Sequence, residues 1–197
     1  MRMVFNNPNT KLIYSQFMKM KKTALVLGHS FTRRLAEWAE KEDAQASPRF
    51  NLHVFGVGGR RIRCTLTKDT DIIRRLTPDI VFLQIGSNDI SRRRSAKSVA
   101  EELNDMATYI RMLGVQHVIV GSLFPRPRPR QMTQGEYHKK RRKINHILKM
   151  TSNQGIFTFW NHAFMKNKFI SHDGVHLTIA GNKKFYFSIQ TAIHRCL

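Results

Sequence analysis

The chain has 197 residues, enough for one domain with a sizeable core, and its 41% hydrophobic and 24% charged residues exclude a disordered protein. Lys plus Arg number 34 against 13 Asp plus Glu, a formal net charge of +21, and a surface so charged attracts polyanions such as nucleic acid, acidic polysaccharide or anionic lipid. No stretch reaches the roughly 18 apolar residues of a membrane span, the first residues lack the apolar run of a signal peptide, and Cys64 and Cys196 match no metal spacing, so the expectation is a soluble, intracellular protein in a reducing compartment.

Residues 1–21 are basic and aperiodic and read as an arm or linker ahead of a domain spanning 22–197. Residues 22–28 (KTALVLG) form a short apolar run ending in Gly, the pattern of a buried strand. Residues 31–41 place Leu35, Trp38 and Ala39 at helical spacing, and 50–55 (FNLHVF) read as a second strand closed by Gly56, Gly58 and Gly59. A helix over 68–76 stops before Pro78, and 79–85 (DIVFLQI) is the clearest strand. Residues 96–113 are an amphipathic helix with Val99, Leu103, Met106, Ala107, Ile110 and Leu113 on one face. A strand over 116–123, a Pro/Arg loop, a basic helix over 136–150 and a strand over 155–160 follow. A last helix runs from Leu177, with Thr178 at its N-cap.

Short apolar strands alternating with helices predict a three-layer αβα, flavodoxin-like domain with a five-stranded parallel sheet. In such a sheet the functional residues lie beyond the carboxyl ends of the strands. The segments there are Gly28-His29-Ser30, Gly56-Val57-Gly58-Gly59 and Gly86-Ser87-Asn88-Asp89, with Asp173-Gly174-Val175-His176 before the last helix. A serine hydroxyl needs a base to become a nucleophile, histidine suits that task by pKa, and a carboxylate fixes the imidazole. Ser30, His176 and Asp173 supply these three groups. The N–H groups of Ser30 and Gly59 and the amide of Asn88 are candidate donors to a developing oxyanion. Taken singly, each has an ordinary structural alternative: Ser30 as a helix cap, Asp173, Asn88 and Gly59 as turn residues.

The four segments in this order resemble the SGNH hydrolase superfamily, the GDSL-like esterases and lipases. Its blocks correspond here to LGHS (27–30), GVGG (56–59), GSND (86–89) and DGVH (173–176), and the resemblance covers about residues 22–197. It implies a serine esterase acting on acyl esters, acetyl or short-chain, through an acyl-enzyme. Ser30, Asp173 and His176 would be the catalytic residues, and Ser30, Gly59 and Asn88 the oxyanion hole. No metal and no organic cofactor is implied. The chain departs from the family at His29, where the family has Asp, and lacks an Asn shortly before the second-block Gly, which marks a divergent branch. It is also similar to SGNH domains that accompany nucleic-acid-binding modules in retrotransposon-encoded proteins.

Arg60, Arg61 and Arg63 follow the second block, Arg92, Arg93 and Arg94 the third, and Arg126, Arg128 and Arg130 the fourth strand. These clusters are expected to ring the cleft and to meet an anionic substrate or a polyanion. The alternative function is accordingly a catalytically weak module that binds nucleic acid through phosphate contacts.

Overall fold

A computed structural model describes residues 21–64, 66–130 and 132–197; all of the expected arm except Lys21 lies outside them. Five strands alternate with five helices: β1 (Lys22–Gly28), α1 (Ser30–Lys41), β2 (Phe50–Gly56), α2 (Leu66–Leu76), β3 (Ile80–Gln84), α3 (Ala96–Met112), β4 (His117–Gly121), α4 (Gln134–Thr151), β5 (Thr158–Trp160) and α5 (Ile179–His194). The sheet is wholly parallel, in the order β2-β1-β3-β4-β5. This is the flavodoxin-like α/β order expected. Among the described residues no helix is long and apolar enough to cross a membrane.

The alternation of side chains along a strand explains the three layers. Leu25 and Leu27 of β1, with Val81 and Leu83 of β3 and Val118 and Val120 of β4, pack against α2, α3 and α4. Ala24 and Val26, with Ile80 and Phe82, turn the other way toward α1 and α5, where Phe31, Leu35, Phe185, Ile189 and Ile193 meet them. A strand buried on both faces must be apolar at every position, which is why β1 and β3 read as continuous runs. Each such fully buried aliphatic or aromatic side chain contributes about 1.5–3 kcal/mol. Edge strand β2 instead starts at the buried Phe50 and then alternates exposed and half-buried positions.

Helix ends follow local chemistry. Thr178 caps α5 by accepting from the Gly181 N–H. Ser95 does the same for α3. Thr133 and Glu136 form a reciprocal capping box that starts α4 two residues before the apolar pattern suggests. The fifth strand is shorter than expected: Gly155 takes a left-handed conformation (φ 81°) closing a 3-10 turn over Ser152–Gln154, so the chain extends only from Thr158.

The strand order reverses at β1, so the gap between the carboxyl ends of β1 and β3 is the switch point at which such sheets hold their ligands. The segments after both strands open into this gap.

Candidate active site

At the end of β1, a Cβ added to Gly28 would lie 2.2 Å from Thr32 Oγ1 and 2.4 Å from the Gln84 carbonyl. Only glycine lets the strand turn straight into α1 this close to β3. His29, not Ser30, is the helix cap: its Nδ1 accepts from the Phe31 N–H at 3.5 Å. Ser30 is therefore the first residue of α1, where the backbone N–H has no intrahelical acceptor, and its hydroxyl is not spent on capping.

The other half of the site lies on the loop before α5. Ile170 and Leu177 form an antiparallel bridge, and the Ser171 N–H donates to the His176 carbonyl at 2.7 Å. Within this closed loop Asp173 Oδ1 accepts from Ser171 Oγ and from the N–H groups of Val175 and His176, each at 2.8 Å. Asp173 Oδ2 lies 2.6 Å from His176 Nδ1. Burial alone would raise this carboxyl, but the donors from His176, Val175 and Ser171 outweigh it and hold Asp173 well below the usual carboxylate range. A carboxylate only accepts, so His176 Nδ1 carries the proton and Nε2 is the bare nitrogen. Nε2 stands 3.1 Å from Ser30 Oγ, across a sequence separation of 146. Ser30, His176 and Asp173 thus form one continuous hydrogen-bonded chain.

On the opposite side, the Asn88 amide donates to the Arg60 carbonyl at 2.8 Å, and its Oδ1 accepts from Arg126 at 2.8 Å. One amide hydrogen remains for a ligand. Gly59 takes a left-handed conformation (φ 73°) that an L side chain adopts only under strain, and it is exposed. Gly59, Asn88 and Arg126 share the lining of a cleft of roughly 200 Å³. Asp89 points away: it accepts from the Ile62 N–H at 3.2 Å and from Arg94 at 3.0 Å, and burial pushes its carboxyl up to about 6.

His29, standing where the related family has Asp, is fully buried. Burial first, then the neighbouring Arg126 charge, push it down to about 3, so it is neutral. Since Nδ1 accepts, Nε2 carries the hydrogen, and that group has no hydrogen-bond partner among the described residues.

The arginine clusters are only partly a rim. Arg60 is buried and ion-paired with Asp69, and Arg126 is buried, so neither stands on the surface as expected. Arg94 is held between Asp89 and Glu102, at 3.0 Å and 2.7 Å. Arg92 pairs with Glu136 at 3.4 Å. Arg61, Arg93, Arg128 and Arg130 are exposed. Sequence reasoning missed Ser171, whose hydroxyl anchors Asp173 from two residues upstream, and missed the clamp that Arg126 places on Asn88. Neither belongs to a recognisable motif.

Residues 23–184 match the GDSL-like Lipase/Acylhydrolase family. Three solved structures share the architecture. A GDSL-like lipase from Bacteroides thetaiotaomicron is 16% identical, with 96% of this chain and 98% of that chain covered and a TM-score of 0.71. A carbohydrate acetylesterase from Sinorhizobium meliloti is 15% identical, covering 90% and 100%, TM-score 0.73. An acetyl-xylooligosaccharide esterase from Geobacillus is 13% identical, covering 85% and 92%, TM-score 0.63. At these identities the likeness is one of fold. No curated protein matches the chain.

Proposed function

The chain belongs to the GDSL-like lipase/acylhydrolase family and is an ester hydrolase of the SGNH type, and we propose that it cleaves short acyl esters through an acyl-enzyme on Ser30. The observation that carries this reading is the unbroken chain from Ser30 Oγ through His176 to Asp173.

Ser30 Oγ attacks the acyl carbonyl as its proton passes to His176 Nε2. Asp173 holds the ring in the productive tautomer and stabilises the imidazolium. The Ser30 and Gly59 N–H groups and the free Asn88 amide hydrogen stabilise the oxyanion. His176 then protonates the departing alcohol oxygen. In the second half it takes a proton from water, which attacks the acyl carbon, and returns that proton to Ser30 as the acid leaves. Every proton move uses this chain's own residues.

The test is labelling by a fluorophosphonate probe, with wild type beside Ser30→Ala and His176→Ala. Labelling that vanishes in both variants supports the reading. A well-folded wild type that is not labelled and hydrolyses no short-chain ester overturns it.

A second reading rests on the exposed arginines, Arg61, Arg93, Arg128 and Arg130, beside the exposed Lys139 and Lys143. These favour contact with a polyanion such as nucleic acid next to the cleft, through phosphate and with steep salt dependence. Affinity for a single-stranded oligonucleotide, measured at two salt concentrations, decides it. No binding at low salt removes it.

A further inference from the structure

Arg126 is a cation without an anion. Its side chain is buried, 8% exposed, yet no Asp or Glu among the described residues pairs with it. It gives one N–H to Asn88 and lies 5.9 Å from the ring centres of both Phe31 and Tyr137. Its other guanidinium N–H groups meet no acceptor among the described residues, and its Nε is fully buried in that condition. Arginine cannot shed its charge, so desolvating it without a counter-charge is costly, and ring faces offset only part of that cost.

The lining of the cleft adds positive charge and no acidic side chain. Arg61 and Arg130 line the same cleft, and neither Asp nor Glu does. The cleft also contains Gly59 and Asn88, the groups assigned to the oxyanion, so whatever fills it is attached to the reacting carbonyl or to the oxygen that leaves. At roughly 200 Å³ it holds a short group, not a long acyl chain.

We propose that this cleft is a subsite for a carboxylate carried by the ester substrate a few bonds from the scissile carbonyl, with Arg126 at its base and Arg130 at its mouth. The proposal rests on the acyl-enzyme reading for the position of the carbonyl. A carboxylate matches the planar fork of a guanidinium, and two arginines converging on a small cleft discriminate against a neutral group of the same shape. The charge sits on the acyl side in a hemisuccinate ester and on the alcohol side in an acetyl ester of glycolate.

The experiment compares kcat/KM for 4-nitrophenyl hemisuccinate and 4-nitrophenyl butyrate, and for acetoxyacetate and ethyl acetate. Salt at 0.5 M suppresses the general field of a chain of charge +21. Wild type is expected to prefer the charged member of at least one pair by about tenfold, as befits a charge-assisted hydrogen bond. Arg126→Gln and Arg130→Gln should collapse that ratio, while Lys149→Gln, an exposed charge that does not line the cleft, should keep it. Arg130 is exposed, so its variant stands even where Arg126→Gln fails to fold. A readout free of catalysis is titration of succinate into Ser30→Ala protein by calorimetry, with binding expected to weaken about tenfold on Arg130→Gln. An active enzyme with equal rates in both pairs overturns the subsite and leaves the hydrolase reading intact. Succinate binding that depends on Arg130, in a protein that hydrolyses neither pair, upholds the subsite and overturns the acyl-enzyme. Succinate binding unaffected by Arg130→Gln, together with unchanged ester ratios, also overturns the subsite.

Discussion

The imidazole of His29 caps the helix that carries Ser30 by accepting from the Phe31 N–H, and it does so fully buried and neutral. A neutral acceptor at this position satisfies an N–H of the first turn without adding a charge. His29→Ala should cost about 1–2 kcal/mol through the lost cap, with a further penalty from the cavity. His29→Asp keeps an acceptor and should recover most of the capping. Urea denaturation of the three proteins checks this. Equal stability of His29→Ala and wild type would show that the cap contributes nothing.

Asp173→Asn removes the acceptor that fixes the His176 tautomer and leaves a polar group of the same shape. The expected result is a kcat on the order of 10²–10⁴-fold lower for a 4-nitrophenyl ester, with KM little changed. Because three donors converge on Asp173 Oδ1, Ser171→Ala should have a milder effect in the same direction. A Ser171→Ala variant as inactive as Asp173→Asn would contradict this ordering.

Asn88→Ala removes one of the three donors proposed for the oxyanion and should lower kcat by about 10²-fold while KM stays near its wild-type value. A loss confined to KM would mean that Asn88 binds substrate in its ground state only.

Acid should unfold the protein earlier than its carboxylates alone require. His29 and His162 are both buried and neutral, pushed down to about 3 by burial. Below pH 6.5 the unfolded chain protonates them and the folded chain does not. Stability is therefore present above that pH and lost as pH falls toward 3, with a slope of up to about 1.4 kcal/mol per pH unit for each. Asp89, pushed up to about 6, acts oppositely, because the folded chain holds the extra proton as pH falls from there toward 4. Asp69 is pushed up by burial in the same sense as Asp89, and His138 is pushed down in the same sense as the other two histidines, so three groups outweigh two and urea midpoints should fall from pH 7 to pH 4.5. His162→Gln should flatten the decline, and an unaltered slope in that variant would exclude His162 from it.

The arrangement of the sheet was legible because burial on both faces forces β1 and β3 to be apolar throughout, and the glycines that end β1, β2 and β4 stand where no side chain fits. The chain formed by Ser30, His176 and Asp173 was legible because its members stand at the ends of such elements. The fate of the arginines was not: Arg60 and Arg61 are neighbours of identical chemistry, and only the fold brings Asp69 to the first and leaves the second exposed. Nor does His29 show in its local sequence that its ring lies inward. The fifth strand lost three residues to a turn whose Ile156 and Phe157 still pack on the core, which is why its apolar run looked longer than its ladder.

The proposed nucleophile Ser30 and its base His176 arrive from opposite ends of the chain, 146 positions apart, and meet only because α1 and α5 pack on the same face of the sheet. Neither end holds the chemistry by itself. A polypeptide severed beside the exposed Arg130, at the outer end of the Pro/Arg loop, would yield two inert fragments, one bearing Ser30 and the other His176 with Asp173. Ester turnover would return only on their reassociation, so this chain has the makings of a split reporter whose signal is complementation itself.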